Sequence, residues 1–518
     1  MTGKTRVILI DITGDWLRSE APPEGRFAHI AQKAVRPMVS YPVGLMYLAA
    51  SAKQAFGSEL ICTIVSTALD CPTLDAVTRL ARANDPHIIG IRALSMHRDM
   101  YADIVRALRK ALEGIMIIGG GPYPSSEPVE ALCNGMVDAV VSGEGEEAFV
   151  SIIDGYRRGD RQWHKIANVC TGANAAEFGI IKPITLALDN IPFPEYSKSL
   201  VSKYEKVKNM SRRYTRHANI VSSRGCPFRC TYCHNIFGKG FRYRSDENVF
   251  EEIRGLYETH GIREFQFIDD IFNLRKDRLI GFFERVIRSG MPLVFSFPNG
   301  VRGDILDREC IDAMIDGGTR CLYFAVESAS ERIQSLIRKN LKLARIAENI
   351  AYASGRGCVT GGFFMLGFPT ETIEEARATI EFACATNLTD GYFFVVTHYP
   401  GTEMYDLAVQ HGFEPGGEDG DNFFKPKNGA YAFSQEEMSD ISRAARKQFY
   451  FSEKRIELKR SQLPMFFSPK EITEITVSQI ISCDVGEGDI TRDDHRQYMA
   501  PYFSFARRMC NMGIRYDF

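Results

Sequence analysis

The chain has 518 residues, a length that suggests about three domains. Its 63 Lys and Arg nearly balance 65 Asp and Glu, leaving a net charge of −2 and no basic footprint for a nucleic-acid backbone or an anionic membrane. Hydrophobic residues at 45% and charged residues at 25% are ordinary globular composition, and no apolar run reaches the length of a membrane span.

The first 160 residues alternate strand and helix patterns. Strands are expected at 6–12, 59–65, 87–93, 114–120 and 138–143. The opening apolar stretch reads as a first strand rather than a signal peptide. Between strands, Met100, Ile104, Leu108 and Leu112 recur at helical spacing. Short apolar strands alternating with helices imply a doubly wound parallel sheet covered on both faces. Such sheets bind ligands beyond the carboxyl ends of their strands. Those ends hold Asp11-Ile12-Thr13-Gly14, the segment Ala93 to His97, Gly119-Gly120-Gly121-Pro122 and Gly143-Glu144-Gly145-Glu146.

Residues 161–215 read as a linker, broken by Pro183, Pro192 and Pro194. Its basic stretch, 203–217, is expected to be a solvated face, with contact to an anionic ligand as the alternative. From 216 to 405 six further strands are expected, at 218–223, 263–269, 293–297, 320–327, 359–366 and 391–397. Helical patterns separate them, as in a partial (βα)6 barrel whose site lies at the carboxyl ends of the strands. Residues 406–518 form a mixed C-terminal domain of unassigned role. There Phe423, Phe424, Tyr431, Phe449, Tyr450 and Phe451 read as a small core rather than a lid.

Thirteen cysteines are present. Ten are scattered singly and read as small buried hydrophobes. Cys226, Cys230 and Cys233 instead form a C-x3-C-x2-C run directly after the first strand of the second αβ region. Three thiolates on one loop can hold three irons of a cubane cluster and leave the fourth open. A structural zinc site, or a group of unrelated buried cysteines, is the alternative reading of the same residues.

This run, with Tyr232 before its last Cys, resembles the radical S-adenosylmethionine superfamily. The resemblance implies a [4Fe-4S] cluster on the three cysteines, S-adenosyl-L-methionine at the open iron, and a 5′-deoxyadenosyl radical that abstracts hydrogen from an unactivated carbon. Asp269 and Asp270 match the second-strand motif that meets the methionine amino group. Glu327 and Ser328 match the segment whose carboxylate approaches the ribose. Gly361, Gly362 and Met365 match the fifth-strand motif that backs the adenine, and Glu371 follows it as a helix-start charge. Tyr232, His398 and Asp270 are the catalytic candidates, and Arg244 resembles a position that steadies polar groups near the cluster loop.

The N-terminal region resembles the cobalamin-binding domain found ahead of such barrels. Pro42-Val43-Gly44-Leu45-Met46-Tyr47-Leu48-Ala49 matches its helix start, and Gly119, Gly120, Gly121, Gly143, Glu144 and Gly145 match its loops. The segment Asp11 to Trp16 departs from the family's D-x-H-x-x-G pattern because it has no His. His97 is the remaining candidate to face the corrin. The resemblance implies a Rossmann-like cobalamin domain over 1–160 and methyl transfer to an unactivated carbon of a small molecule. Radical cyclisation, rearrangement or dehydration is the alternative. An oxygen-labile cluster implies a reducing cytoplasm and an electron donor such as flavodoxin or ferredoxin, with no nucleic-acid partner and no membrane span.

Overall fold

The structure is a computed structural model and describes residues 4–13, 38–179, 186–234, 236–413 and 433–511. Gly14, Asp15, Trp16, Pro183, Phe423, Phe424 and Tyr431 lie outside the described residues. Among the described residues, no helix is long and apolar enough to cross a membrane.

The first sheet contains β1 (Thr5–Asp11), β2 (Leu60–Ser66), β3 (Ile88–Arg92), β4 (Met116–Gly120), β5 (Ala139–Val141) and β6 (Val169–Cys170), in the order β2-β1-β3-β4-β5-β6. All neighbours are parallel except β5 and β6. Alternation along β1 shows why the strands are apolar throughout. Val7 and Leu9 pack with Leu45, Phe149 and Ile152, from the helices Val43–Phe56 and Glu146–Arg158. Ile8 and Ile10 pack on the other face with Val77, Ala81, Ile104 and Leu108. Each face is covered by helices, so a polar residue in mid-strand would be buried on either side. The order, with β1 between β2 and β3, places the topological switch at the carboxyl end of β1.

After β7 (His217–Ile220) and the two-stranded ribbon of β8 (Ser223–Arg224) and β9 (Arg242–Tyr243) come β10 (Glu264–Phe267), β11 (Val294–Val301), β12 (Thr319–Glu327), β13 (Val359–Leu366) and β14 (Asp390–Val395). The second sheet runs β14-β13-β12-β11-β10-β7, all parallel, and is the expected partial (βα)6 barrel. Its outer face meets the helices through Phe265, Phe267, Phe295, Phe324 and Phe364, all buried. Its inner face is filled at one end by Leu463, Phe466, Phe467 and Ile475, which pack on Cys321, Tyr323 and Val359. These four come from the C-terminal region, whose described residues form the helices Gln435–Phe451, Glu453–Gln462, Pro469–Cys483 and Asp493–Asn511. Phe449, Tyr450 and Phe451 are buried there, as a core requires.

The described residues of 161–215 are woven into both sheets. β6 extends the first sheet, while Tyr196, Leu200 and Tyr204 join the core of the second. The basic stretch is not a solvated face. Lys203 pairs with Asp70 at 2.6 Å, Lys208 with Glu474 at 2.7 Å, Arg213 with Glu264 at 2.6 Å, and Arg212 with Asp390. Buried Asn209 organises the turn, accepting from the Ser211 and Arg213 amides and donating to Glu264 at 2.8 Å. Carboxylates on four separate elements explain the reversal, since sequence spacing cannot reveal such partners. Of the scattered cysteines, Cys71, Cys170, Cys310, Cys321, Cys358 and Cys483 are buried, whereas Cys62, Cys133 and Cys384 are half-buried and Cys510 is exposed.

Candidate active site

The cluster loop leaves the sheet after β7 and is tied down before its first cysteine. Asp269 at the end of β10 accepts from the Ser222 amide at 2.8 Å, from the Ser223 amide, and from both serine hydroxyls. Burial pushes its carboxyl upward, opposed by Arg278 and these hydrogen bonds. Its oxygens thus position the chain leading to the cysteines, and Asp269 also lines the central cavity. Asp270 accepts from the Gly225 amide at 3.0 Å and also lines the central cavity. Gly225 has φ +84, and a Cβ there would stand 2.1 Å from the Gly240 carbonyl oxygen. Only glycine lets the two ends of the loop approach this closely.

Cys226, Cys230 and Cys233 follow on that loop, and Cys230 and Cys233 share a hydrogen bond that lowers the first thiol and raises the second. Three soft sulfur donors on a single loop suit an iron–sulfur cluster. Among the described residues, the grouping of potential metal ligands within 4.8 Å of one another lies elsewhere, at Glu457, Asp494 and His495, and the three thiols are not drawn together to that distance.

Tyr232 turns to the ends of neighbouring strands. Its hydroxyl is 3.4 Å from Glu327 and 3.2 Å from Lys339 Nζ, and Lys339 pairs with Glu327 at 2.6 Å. Glu327 sits at φ +67, in the left-handed region that non-glycine residues seldom adopt. Lys339 was not foreseen, because nothing in its local sequence marks it. Met365 packs at the same place, beside Tyr232 and Phe368. Ser328 is turned inward and meets Thr379 Oγ1 at 3.2 Å, which organises the strand end. Gly361 and Gly362 are set by packing. Added Cβ atoms would meet Tyr323 at 2.1 Å, and Phe364 and Leu388 at 2.6 and 2.7 Å. The space at both positions therefore belongs to core side chains, so packing by itself requires glycine there. His398 is buried against Phe413, with ring centroids 4.9 Å apart, and does not line the cavity. Arg244 forms a buried pair with Glu252 at 2.5 Å.

A cavity of about 960 Å3 lies between the two sheets. One side is formed by the carboxyl ends of the first sheet, including Gly119, Gly120, Gly121, Gly143, Glu144 and Gly145. The opposite side is formed by Val221, Ser223, Arg224, Ile268, Asp270 and Asn299 at the barrel mouth, and the wall by Lys208, Arg212, Glu474 and Ser478. Gly44, at the start of the first helix, lines the cavity, and an added Cβ there meets nothing within 4 Å. Gly121 is held at φ +91 against Arg92 and Ala93. Gly119 lines the cavity too, but a Cβ there would stand 2.2 Å from the Tyr101 hydroxyl, so packing also requires that glycine. Where the His of the cobalamin pattern is missing, Asp11 instead pairs with Arg92 at 2.6 Å. His97 is buried and lines the cavity. Glu144 also lines the cavity, with Arg224 on one carboxylate oxygen and Arg242 on the other. A broad, largely apolar cleft with glycine-built loops on one side and the cluster loop on the other fits a flat macrocycle set against a radical site.

Comparison with known proteins agrees. The Radical SAM superfamily profile matches residues 220–383, and that of the B12 binding domain matches residues 32–153. The chain is 31% identical over 380 residues to "Uncharacterized methyltransferase PH0819" of Pyrococcus horikoshii, covering 71% of this chain and 78% of that protein. It is 27% identical over 429 residues to the cytidylyl-2-hydroxyethylphosphonate methyltransferase of Streptomyces wedmorensis, covering 73% and 79%. Its fold resembles that of TsrM from Kitasatospora setae, a radical S-adenosylmethionine methyltransferase solved with cobalamin and a [4Fe-4S] cluster, at a TM-score of 0.61 and 15% identity over 98% of this chain and 99% of that one. With the thiol run, the open barrel and the glycine-lined cavity in one chain, this protein belongs to the radical S-adenosylmethionine superfamily, in the group that carries a B12-binding domain ahead of the barrel.

Proposed function

We propose that the protein is a cobalamin-dependent radical S-adenosylmethionine methyltransferase that methylates an unactivated carbon of a small molecule. The observation that carries this reading is the single cavity lined at once by Gly119–Gly121, Gly143–Gly145 and the residues that hold the cluster loop. A methyl donor on one side and a substrate radical on the other must share one water-poor space, and this cavity supplies it. When bound, the cluster with S-adenosylmethionine supplies a 5′-deoxyadenosyl radical, and cobalamin supplies a transferable methyl group.

The chain's own residues then have distinct tasks. Cys226, Cys230 and Cys233 hold the cluster, and Asp269 and Asp270 fix the backbone leading to it. Glu327, steadied by Lys339 and Tyr232, stands at the strand end where ribose hydroxyls would find a two-oxygen acceptor. Asn299 holds the β10 end by donating to the Ile268 carbonyl at 2.9 Å, which leaves its own side-chain oxygen to accept from substrate. In this reading residues 1–160 hold the corrinoid, 161–215 link, 216–405 form the radical barrel and 406–518 close it. A flavodoxin or ferredoxin in a reducing cytoplasm would supply electrons.

The test begins with anaerobic purification in the presence of cobalamin and measurement of cobalamin, iron and sulfide on one sample. The cofactor-loaded protein is then given reductant, methyl-labelled S-adenosylmethionine and a small-molecule extract. Methyl transfer yields labelled product with both S-adenosylhomocysteine and 5′-deoxyadenosine. Formation of 5′-deoxyadenosine without matching S-adenosylhomocysteine would replace this reading with cyclisation or dehydration.

A further inference from the structure

The cluster loop is closed at its base by a two-stranded ribbon, β8 before the cysteines and β9 after them, with Arg224 opposite Arg242. Both arginines reach the same carboxylate. Arg224 Nη1 is 2.5 Å from Glu144 Oε2, and Arg242 binds Glu144 Oε1. The second arm of the Arg224 fork reaches Glu146 Oε1 at 2.6 Å. Glu144 lies between Gly143 and Gly145 on the loop that lines the N-terminal side of the cavity. One carboxylate from that loop thus grips both ends of the loop bearing Cys226, Cys230 and Cys233.

The joint is dry. The Arg224 side chain is 6% exposed and that of Glu144 5%. The guanidinium also lies over Tyr47 of the first helix, 5.3 Å away, and over Phe237 of the cluster loop, 5.6 Å away. A buried charge that loses its partner is strongly penalised, so neither loop can shift without carrying the other.

We propose that Arg224 is a positioning residue through which the cavity loop 143–146 and the cluster loop set one another's conformation, so that cobalamin and the cluster bind cooperatively. The inference rests on the assignment of both cofactors made above. Arginine is required because its fork spans two separate carboxylates, whereas an ammonium presents a single charged point. Reciprocity follows by linkage: a cluster that favours one loop arrangement tightens cobalamin by the same factor that cobalamin tightens the cluster.

The test measures hydroxocobalamin affinity for cluster-loaded and cluster-free full-length protein. In the natural protein, cluster loading is expected to tighten binding about tenfold. In Glu144→Gln, and independently in Arg224→Lys, the ratio is expected to fall to about one while each cofactor still binds. The reduced cluster's electron paramagnetic resonance spectrum should shift on adding cobalamin to the natural protein and stay unmoved in both variants. An undiminished ratio in both variants, or a ratio of one in the natural protein, overturns the coupling. A natural protein that takes up neither cofactor overturns the functional reading itself, and the two failures are thereby distinguished.

Discussion

Arg212, just ahead of the first barrel strand, forms an ion pair with Asp390, the first residue of the last one. The two edge strands of an open barrel are thus joined through side chains where no strand pairing joins them. Asp390 also accepts from the Tyr323 hydroxyl at 3.2 Å and from the Gln479 side-chain amide at 3.4 Å, so the C-terminal helix Pro469–Cys483 is drawn into the same closure. Asp390→Ala should strand Arg212 and lower stability by about 3–5 kcal/mol, read from denaturant midpoints. Adding Arg212→Met should recover much of that loss, and no recovery would show that the pair is not what closes the gap.

Replacing any of Cys226, Cys230 or Cys233 by Ala should reduce cluster iron from about four per chain to near none after anaerobic reconstitution. The secondary structure should be unchanged, because the loop itself is held by Asp269, Asp270 and Glu144 rather than by the metal. Far-ultraviolet circular dichroism beside iron and sulfide analysis checks both halves of the expectation.

Lys339 and Glu327 form a pair in which neither side chain is more than 9% exposed. Lys339→Met should leave an unpaired buried carboxylate and cost about 3–5 kcal/mol. The double change Lys339→Met with Glu327→Gln should cost much less in stability, yet weaken S-adenosylmethionine binding, since the acceptor for the ribose is then lost. A double-mutant cycle on thermal midpoints, read beside isothermal titration with S-adenosylmethionine, separates the two effects.

Gly44→Leu adds a side chain toward space that is open within 4 Å of the new Cβ. Helix propensity predicts a stability change near zero or slightly favourable, of about 0.5 kcal/mol. Cobalamin uptake, measured by absorbance, should nevertheless fall at least about tenfold, because ten- to hundredfold losses correspond to about 1.4–2.7 kcal/mol of clash. Gly121→Ala should behave differently and lose stability, since φ is +91 and Arg92 Cγ stands 2.8 Å from the added atom.

Glu371 is fully buried, and burial pushes its carboxyl up to about 8, against the opposing hydrogen bonds from the Gly367 and Phe368 amides. The folded protein therefore holds a proton that the unfolded chain releases near its ordinary value of 4.5. This contribution is fully present below that ordinary value and is lost as pH rises through about 8. Glu371→Gln, which keeps an acceptor for both amides, should flatten the fall of thermal midpoint across this window. An equal slope in the variant would assign the pH dependence to other groups.

The eleven strands read from the apolar runs all overlap structural strands, with ends within three residues except for β11, which continues four residues further to Val301, because a strand buried on both faces needs a continuous apolar run. The thiol run and the glycine loops were equally legible, since their chemistry is local to a few neighbouring residues. Asp269 and Asp270 were recognised as important, but as cofactor contacts. The structure adds a role that the sequence did not show, Asp269 accepting from Ser222 and Ser223 and Asp270 from the Gly225 amide, while both line the cavity. Lys339, Arg224 and the burial of the basic stretch could not be read, because their partners lie 12, 80 and from 51 to more than 170 positions away in the chain. What the sequence by itself determined was the alternation of elements and the metal-binding loop, both governed by nearest neighbours. What the tertiary structure decided was which charges meet in the dry space between the sheets, since a buried ion's energy depends on a partner brought by the fold rather than by the chain.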